Sequence, residues 1–189
     1  MRTSLFASIA LLAGTIFLVG CGDAPSSNPK ATTAAPAAKL PEGLILSAAP
    51  AGAVSIKDAM KNAKAGDTIV IRGRIGGSKE ETFLPDRAVF TIVDEALPTC
   101  DQNPADSCPQ PWDYCCEPKD KLAENTASIR VNDPATGKTL KQPLKGQAKL
   151  SELNTVVVQG KVDERPSPNA LTVIATGIFV EKEVQRKGK

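Results

Sequence analysis

Histidine is absent from all 189 residues of the chain. That absence excludes a Ser-His-Asp or Cys-His catalytic unit, a histidine-ligated zinc or haem, and a Cys-x-x-Cys-His haem attachment. Methionine occurs only as Met1 and Met60, which leaves no methionine-rich copper site. No Gly-x-Gly-x-x-Gly or Gly-x-x-x-x-Gly-Lys-Ser/Thr run is present, so nothing marks a nucleotide phosphate cradle. Net charge is small as well, with 23 basic against 21 acidic residues. Nonspecific attraction to nucleic acid or anionic lipid needs a concentrated basic surface, and this composition does not supply one. No catalytic constellation and no cofactor is indicated; an enzyme built on this chain would work with carboxylates, lysines or thiols.

What the chain does have is a long apolar run from Ser4 to Gly20. Arg2 gives a short basic start, and small Gly20 precedes Cys21, the layout of a cleaved secretory signal. The tetrapeptide Leu18-Val19-Gly20-Cys21 resembles the bacterial lipobox. That resemblance implies cleavage before Cys21, a thioether-linked diacylglycerol on its sulfur and acylation of the new amino group. The expectation is a signal peptide over residues 1–20, lipidation at Cys21, and a membrane partner held through the lipid. The address is the extracytoplasmic cell envelope, without a choice between inner and outer membrane. Multiple acyl chains make such anchoring stable. The alternative is an uncleaved spanning anchor, since the run approaches the lower length limit of a spanning helix. A cytosolic helix has less in its favour, because the run carries no polar stripe.

Loss of Arg2 with the leader lowers the formal charge from +2 to +1. Residues 21–43 then read as a flexible tether, because Ala, Pro, Ser, Thr and Lys bury too little apolar surface to offset ordering. Residues 44–183 are the size of one small domain, and 184–189 form a charged tail.

Within the domain, Ser55 and Asp58 mark a short helix start, and Ile56, Ala59, Met60 and Ala63 give it one apolar face. Gly66 is placed to end that helix in a left-handed turn. Strands are expected over Thr68 to Ile75, Ala88 to Val93, Ser128 to Asn132, Thr155 to Val162 and Leu171 to Val180. In the last two, Val156, Val158 and Val162 share one face, and Leu171, Val173 and Phe179 another. The intervening Glu164 to Asn169 stretch carries two prolines, which favour a turn.

Five short strands in this order point to a small barrel. The segments Gly66 to Ile75, Ala88 to Asp94 and Val156 to Val162 resemble an OB-fold domain. The fold class is therefore mainly β: a five-stranded OB-like barrel, a short N-terminal helix, and a cysteine-rich insert at residues 95–125 between strands two and three. The helix that an OB-fold carries between strands three and four has only Ala148 to Leu153 available. An immunoglobulin-like sandwich would want about seven strands.

The insert holds Cys100, Cys108, Cys115 and Cys116. With Cys21 assigned to lipid, these four form an even number in an oxidising compartment, the arithmetic of two disulfides. Adjacent Cys115 and Cys116 are too close for an unstrained mutual bond. Two pairings remain open: Cys100–Cys115 with Cys108–Cys116, or Cys100–Cys116 with Cys108–Cys115. The alternatives are a thiolate site for zinc or an iron–sulfur cluster on the same four residues, or a redox-active thiol pair. Asp101, Asp106 and Asp113 lie near enough in sequence to join a mixed thiolate–carboxylate site. The segment Pro111 to Cys116 is similar to a motif of uncharacterised bacterial lipoproteins, which implies no activity.

Trp112 and Tyr114, the only residues of their kinds, also sit in the insert. They read either as a miniature core or as an exposed contact for a partner or glycan. Strand phase places Arg72, Arg74, Arg130 and Lys161 outward, as a solvated sheet face or a modest ligand surface for a small anion. These features make an envelope binding module for a protein, glycan or anionic ligand the leading reading, ahead of a thiolate metal or redox protein. Nucleic-acid binding, which an OB resemblance suggests, lacks the stacking aromatics such grooves use.

Overall fold

The computed structural model describes residues 39–77, 82–102 and 108–184. The leader, Cys21, the tether up to residue 38, Asp106 and most of the charged tail lie outside the described residues.

Ser55 caps the first helix as its sequence suggests. Its Oγ accepts the Asp58 amide at 3.0 Å and donates to the Asp58 carboxylate at 2.8 Å, satisfying one free amide of α1 (Ile56–Asn62). The Lys57 amide donates to Asp94 Oδ2 at 3.0 Å, which ties the same helix end to the barrel. The helix stops at Ala63, whose backbone is extended, three residues earlier than Gly66; that glycine, with φ of 90°, turns the chain into the next strand. The free carbonyls of the last turn are taken up from outside the helix. Arg165 Nη1 donates to Ala63 O at 2.7 Å and Nη2 to Met60 O at 2.8 Å.

The strands are β1 (Val54–Ser55), β2 (Thr68–Ile75), β3 (Val89–Val93), β4 (Thr126–Arg130), β5 (Thr155–Val162) and β6 (Thr172–Lys182). Around the barrel the order is β2-β3-β4-β6-β5, and β5 pairs back onto β2 to close it. Every neighbour is antiparallel except β4 and β6, which run parallel, and β1 adds a short parallel strand outside β2. This is a closed five-stranded OB-like barrel, and closure removes the unpaired edges that an open sheet would expose. Its core is aliphatic: Ile71, Ile75, Ile92, Ile129, Val156, Val158 and Ile178 are fully buried, with Phe90 stacked on Phe83 at 5.5 Å. Ile56, Ala59 and Met60 of α1 join it. Among the described residues no helix is long and apolar enough to cross a membrane.

One expectation changes, in β6. Phe179 was placed on the face of Val173, but Ile178 takes the core position and Phe179 is only half-buried. The register explains it. Gln159 pairs with Gly177 and Gly160 with Ala175, so Thr176 is an extra residue that inverts the inward phase of β6. Between β4 and β5 there is a single 3-10 turn at Gln147–Lys149, in which Ala148 and Lys149 have positive φ, rather than the OB helix.

Gly160 is fixed by this bulge. A Cβ there would overlap the Ile174 carbonyl oxygen and Val173 Cγ1. Gly160→Ala is expected to destabilise the barrel by roughly 1–3 kcal/mol, the cost of overpacking a tight contact. A urea midpoint unchanged from the parent would show that β6 gives way freely.

Candidate metal centre

The insert leaves β3 at Asp94, whose carboxylate accepts the Ala96 amide at 3.0 Å, and returns through α2 (Lys119–Glu124), a short helix the sequence did not announce. It has a small core of its own. Tyr114 and Leu97 are buried against Val93, with Leu122 packed alongside. Arg74, projecting outward from β2, lies beneath the insert and donates through Nη1 to Leu97 O and to Tyr114 Oη, each at 3.2 Å. The Gly77 amide donates to Trp112 O at 2.8 Å. Burial pushes the Tyr114 hydroxyl pKa up, with Arg74 opposing part of the rise.

On this platform the loop folds its four cysteines together. Cys100 is buried in a 3-10 turn (Cys100–Gln102) and its amide donates to Pro111 O at 3.2 Å. Cys108 is half-buried, while Cys115 and Cys116 are exposed. The Sγ of Cys115 lies 3.9 Å from that of Cys100, 3.7 Å from Cys108 and 4.0 Å from Cys116; Cys100 and Cys116 are 4.0 Å apart. A disulfide needs about 2.05 Å. None of these sulfur pairs among Cys100, Cys108, Cys115 and Cys116 is at the bonding distance that the expected disulfides need. Cys115 is nearly equidistant from three partners.

The separations match a different geometry. Four sulfurs at about 2.3 Å from one tetrahedral ion stand about 3.8 Å from each other. An iron–sulfur cluster would spread its thiolates over several irons and hold some pairs much farther apart. Asp113 completes the cluster: it is buried, its Oδ1 lies 3.7 Å from Cys100 Sγ and 3.8 Å from Cys108 Sγ, and it accepts the Cys115 amide at 2.9 Å. The donor atoms of Cys100, Cys108, Asp113 and Cys115 all lie within 4.8 Å of one another. Cys100, Cys108 and Cys115 thus form one donor set with Asp113, and Cys116, 4.0 Å from both Cys100 and Cys115, is the other candidate for the fourth position. Asp101 is turned elsewhere, accepting from Thr99 Oγ1.

Two of these thiols are hard to ionise. The Cys115 thiol pKa is pushed well up, first by its hydrogen bond to Asp113 and then by the neighbouring thiols; burial raises that of Cys100. A buried carboxylate among thiols is a site that a cation would stabilise.

The other expected site residues are scattered. Arg72 is paired with Glu95 at 3.1 Å and Glu181 at 2.6 Å, and Arg130 with Asp163 at 2.7 Å. Arg74 serves the insert, and Lys161 is exposed. The cationic sheet face is therefore largely neutralised by carboxylates. Tyr114 is 1% exposed and offers no ring to a partner, whereas Trp112 is half-buried. No family model matches the chain, and the searches of curated proteins and of solved structures found no match.

Proposed function

We propose that this protein is a lipid-anchored envelope protein whose OB-like barrel carries a mononuclear thiolate metal site, with Zn²⁺ the ion class that fits best. One observation carries the reading: four of the sulfur pairs, Cys100–Cys115, Cys100–Cys116, Cys108–Cys115 and Cys115–Cys116, stand 3.7–4.0 Å apart, one tetrahedral edge, rather than at bonding distance. Soft thiolates select Zn²⁺, Cu(I) or Fe over Mg²⁺ and Ca²⁺, and a full set of four protein ligands leaves no open position for catalysis. The role is binding and rigidity. The ion would fix the insert as a shaped surface on one end of the barrel, presenting Trp112 and the loop to an envelope partner. In an oxidising compartment, occupancy would also hold the thiolates against oxidation.

The test is intact mass, thiol labelling and elemental analysis on protein purified without chelator. One equivalent of zinc and four thiols that label only after denaturation is the expected result. Two disulfides and no metal would defeat the reading. Cys21→Ser is expected to release the protein from the membrane fraction; persistence there would point to the spanning-anchor alternative.

A further inference from the structure

We infer that the cavity between α1 and the β5–β6 turn is a binding site for a small organic polyanion. This inference is independent of the metal centre and lies on different residues. The cavity holds about 690 Å³, within the range of small-ligand pockets. Lys57, Lys61, Lys64 and Arg165 line it, against a single lining carboxylate, Glu124. Met60, Ala63, Pro166 and Pro168 supply an apolar floor.

Arg165 makes this a built wall rather than a loose groove. Its guanidinium donates to Met60 O, Ala63 O, Ala170 O and Pro168 O, stapling the turn to the end of α1. Every one of those partners is a neutral carbonyl, so the positive charge is held in place and not cancelled. Lys57 and Lys61 stand one helical turn apart, about 6 Å along the axis, and repel each other. Among the described residues neither they nor Lys64 form an ion pair. Their aliphatic stems can cover the concave wall while their ammonium groups reach over its mouth. A ligand with two or more negative charges on phosphate or carboxylate groups matches the charge, and a carbon body, where it has one, matches the floor.

Calorimetric titration of the full chain with citrate, inorganic pyrophosphate and water-soluble dihexanoyl phosphatidic acid tests this. At least one probe is expected to bind saturably and less tightly as salt rises. Lys57→Ala with Lys61→Ala should weaken it about tenfold, while Arg72→Ala leaves it unchanged. Both lysines are exposed and form no ion pair among the described residues, so the fold should survive, which a matching urea midpoint would verify. Binding of phosphatidic acid alone would identify a lipid headgroup as the source; binding of citrate or pyrophosphate would identify a soluble anion. The inference is overturned if no probe binds at millimolar concentration, or if the double variant binds as tightly as the parent.

Discussion

Cys100→Ser is expected to strip the protein of its metal, weakening Zn²⁺ by about a thousandfold or more, beyond the 10–100-fold that outer-shell changes cost. Cys100 belongs to either donor set, and it is the most buried of the candidate ligands, at 4% exposure. It also comes from the start of the insert, so its loss unties that arm from Cys115 and Cys116. Structural zinc contributes roughly 10–16 kcal/mol in apparent binding free energy, and that energy is folding energy for the segment it closes. Competition against a chromophoric chelator measures the loss directly. Cobalt substitution adds an assignment: thiolate-to-metal charge transfer should fall in Cys116→Ser if four cysteines bind, and hold in Asp113→Asn. The reverse pattern would make Asp113 the fourth ligand. Because Cys100 and Cys115 hold their protons tightly, binding must release them, so affinity should fall as the pH is lowered. A Cys100→Ser protein that keeps a full equivalent of zinc would remove the site.

The barrel was legible because alternation is a local signal. Thr68–Ile75 and Thr155–Val162 are strands over the expected bounds, since each reads apolar inward and polar outward within one short window. The inversion in β6 was not legible, because an extra Thr176 has no marker in its own segment and is defined only by its pairing with Gln159 and Gly160. Charge partners failed for the same reason. Strand phase put Arg72 outward correctly, but Glu95 and Glu181 reach it from distant parts of the chain. Arg165, read as part of a turn, closes a helix 102 residues before it.

The cysteines show a different limit. Their number and the expected compartment fit disulfides, while spacing along the chain, C-x7-C-x6-C-C, fits no familiar zinc pattern. What brings the sulfurs into one tetrahedral spacing is the bend at Asp113, which accepts the Cys115 amide, and the left-handed backbone of Tyr114 with φ of 54°. Neither feature has a sequence signature at a non-glycine residue.

That bend supports the second large effect. Tyr114→Ala is expected to cost about 3–5 kcal/mol, as truncation of a fully buried aromatic does, and to loosen metal binding with it. Tyr114→Phe should cost about 1 kcal/mol, because it removes only the hydrogen bond from Arg74 and keeps the ring. The difference follows from what holds the strained backbone. A bulky residue adopts positive φ only where its surroundings over-determine it, and here the ring is clamped by Val93, Leu97 and Leu122. With the ring gone, only the Cys115 amide on Asp113 and the Glu117 amide on Tyr114 O oppose relaxation to an ordinary negative φ, a rotation that would swing Cys115 away from Cys100 and Cys108. Stability and affinity should therefore fall together in the alanine variant and be nearly retained in the phenylalanine one. Urea unfolding of metal-free and zinc-loaded protein, followed by the single tryptophan beside the bend, separates the two contributions. If Tyr114→Ala unfolds at the parental midpoint yet loses zinc, the ring orients the site without supporting the insert. If it keeps both, the Asp113 and Glu117 hydrogen bonds set the bend by themselves.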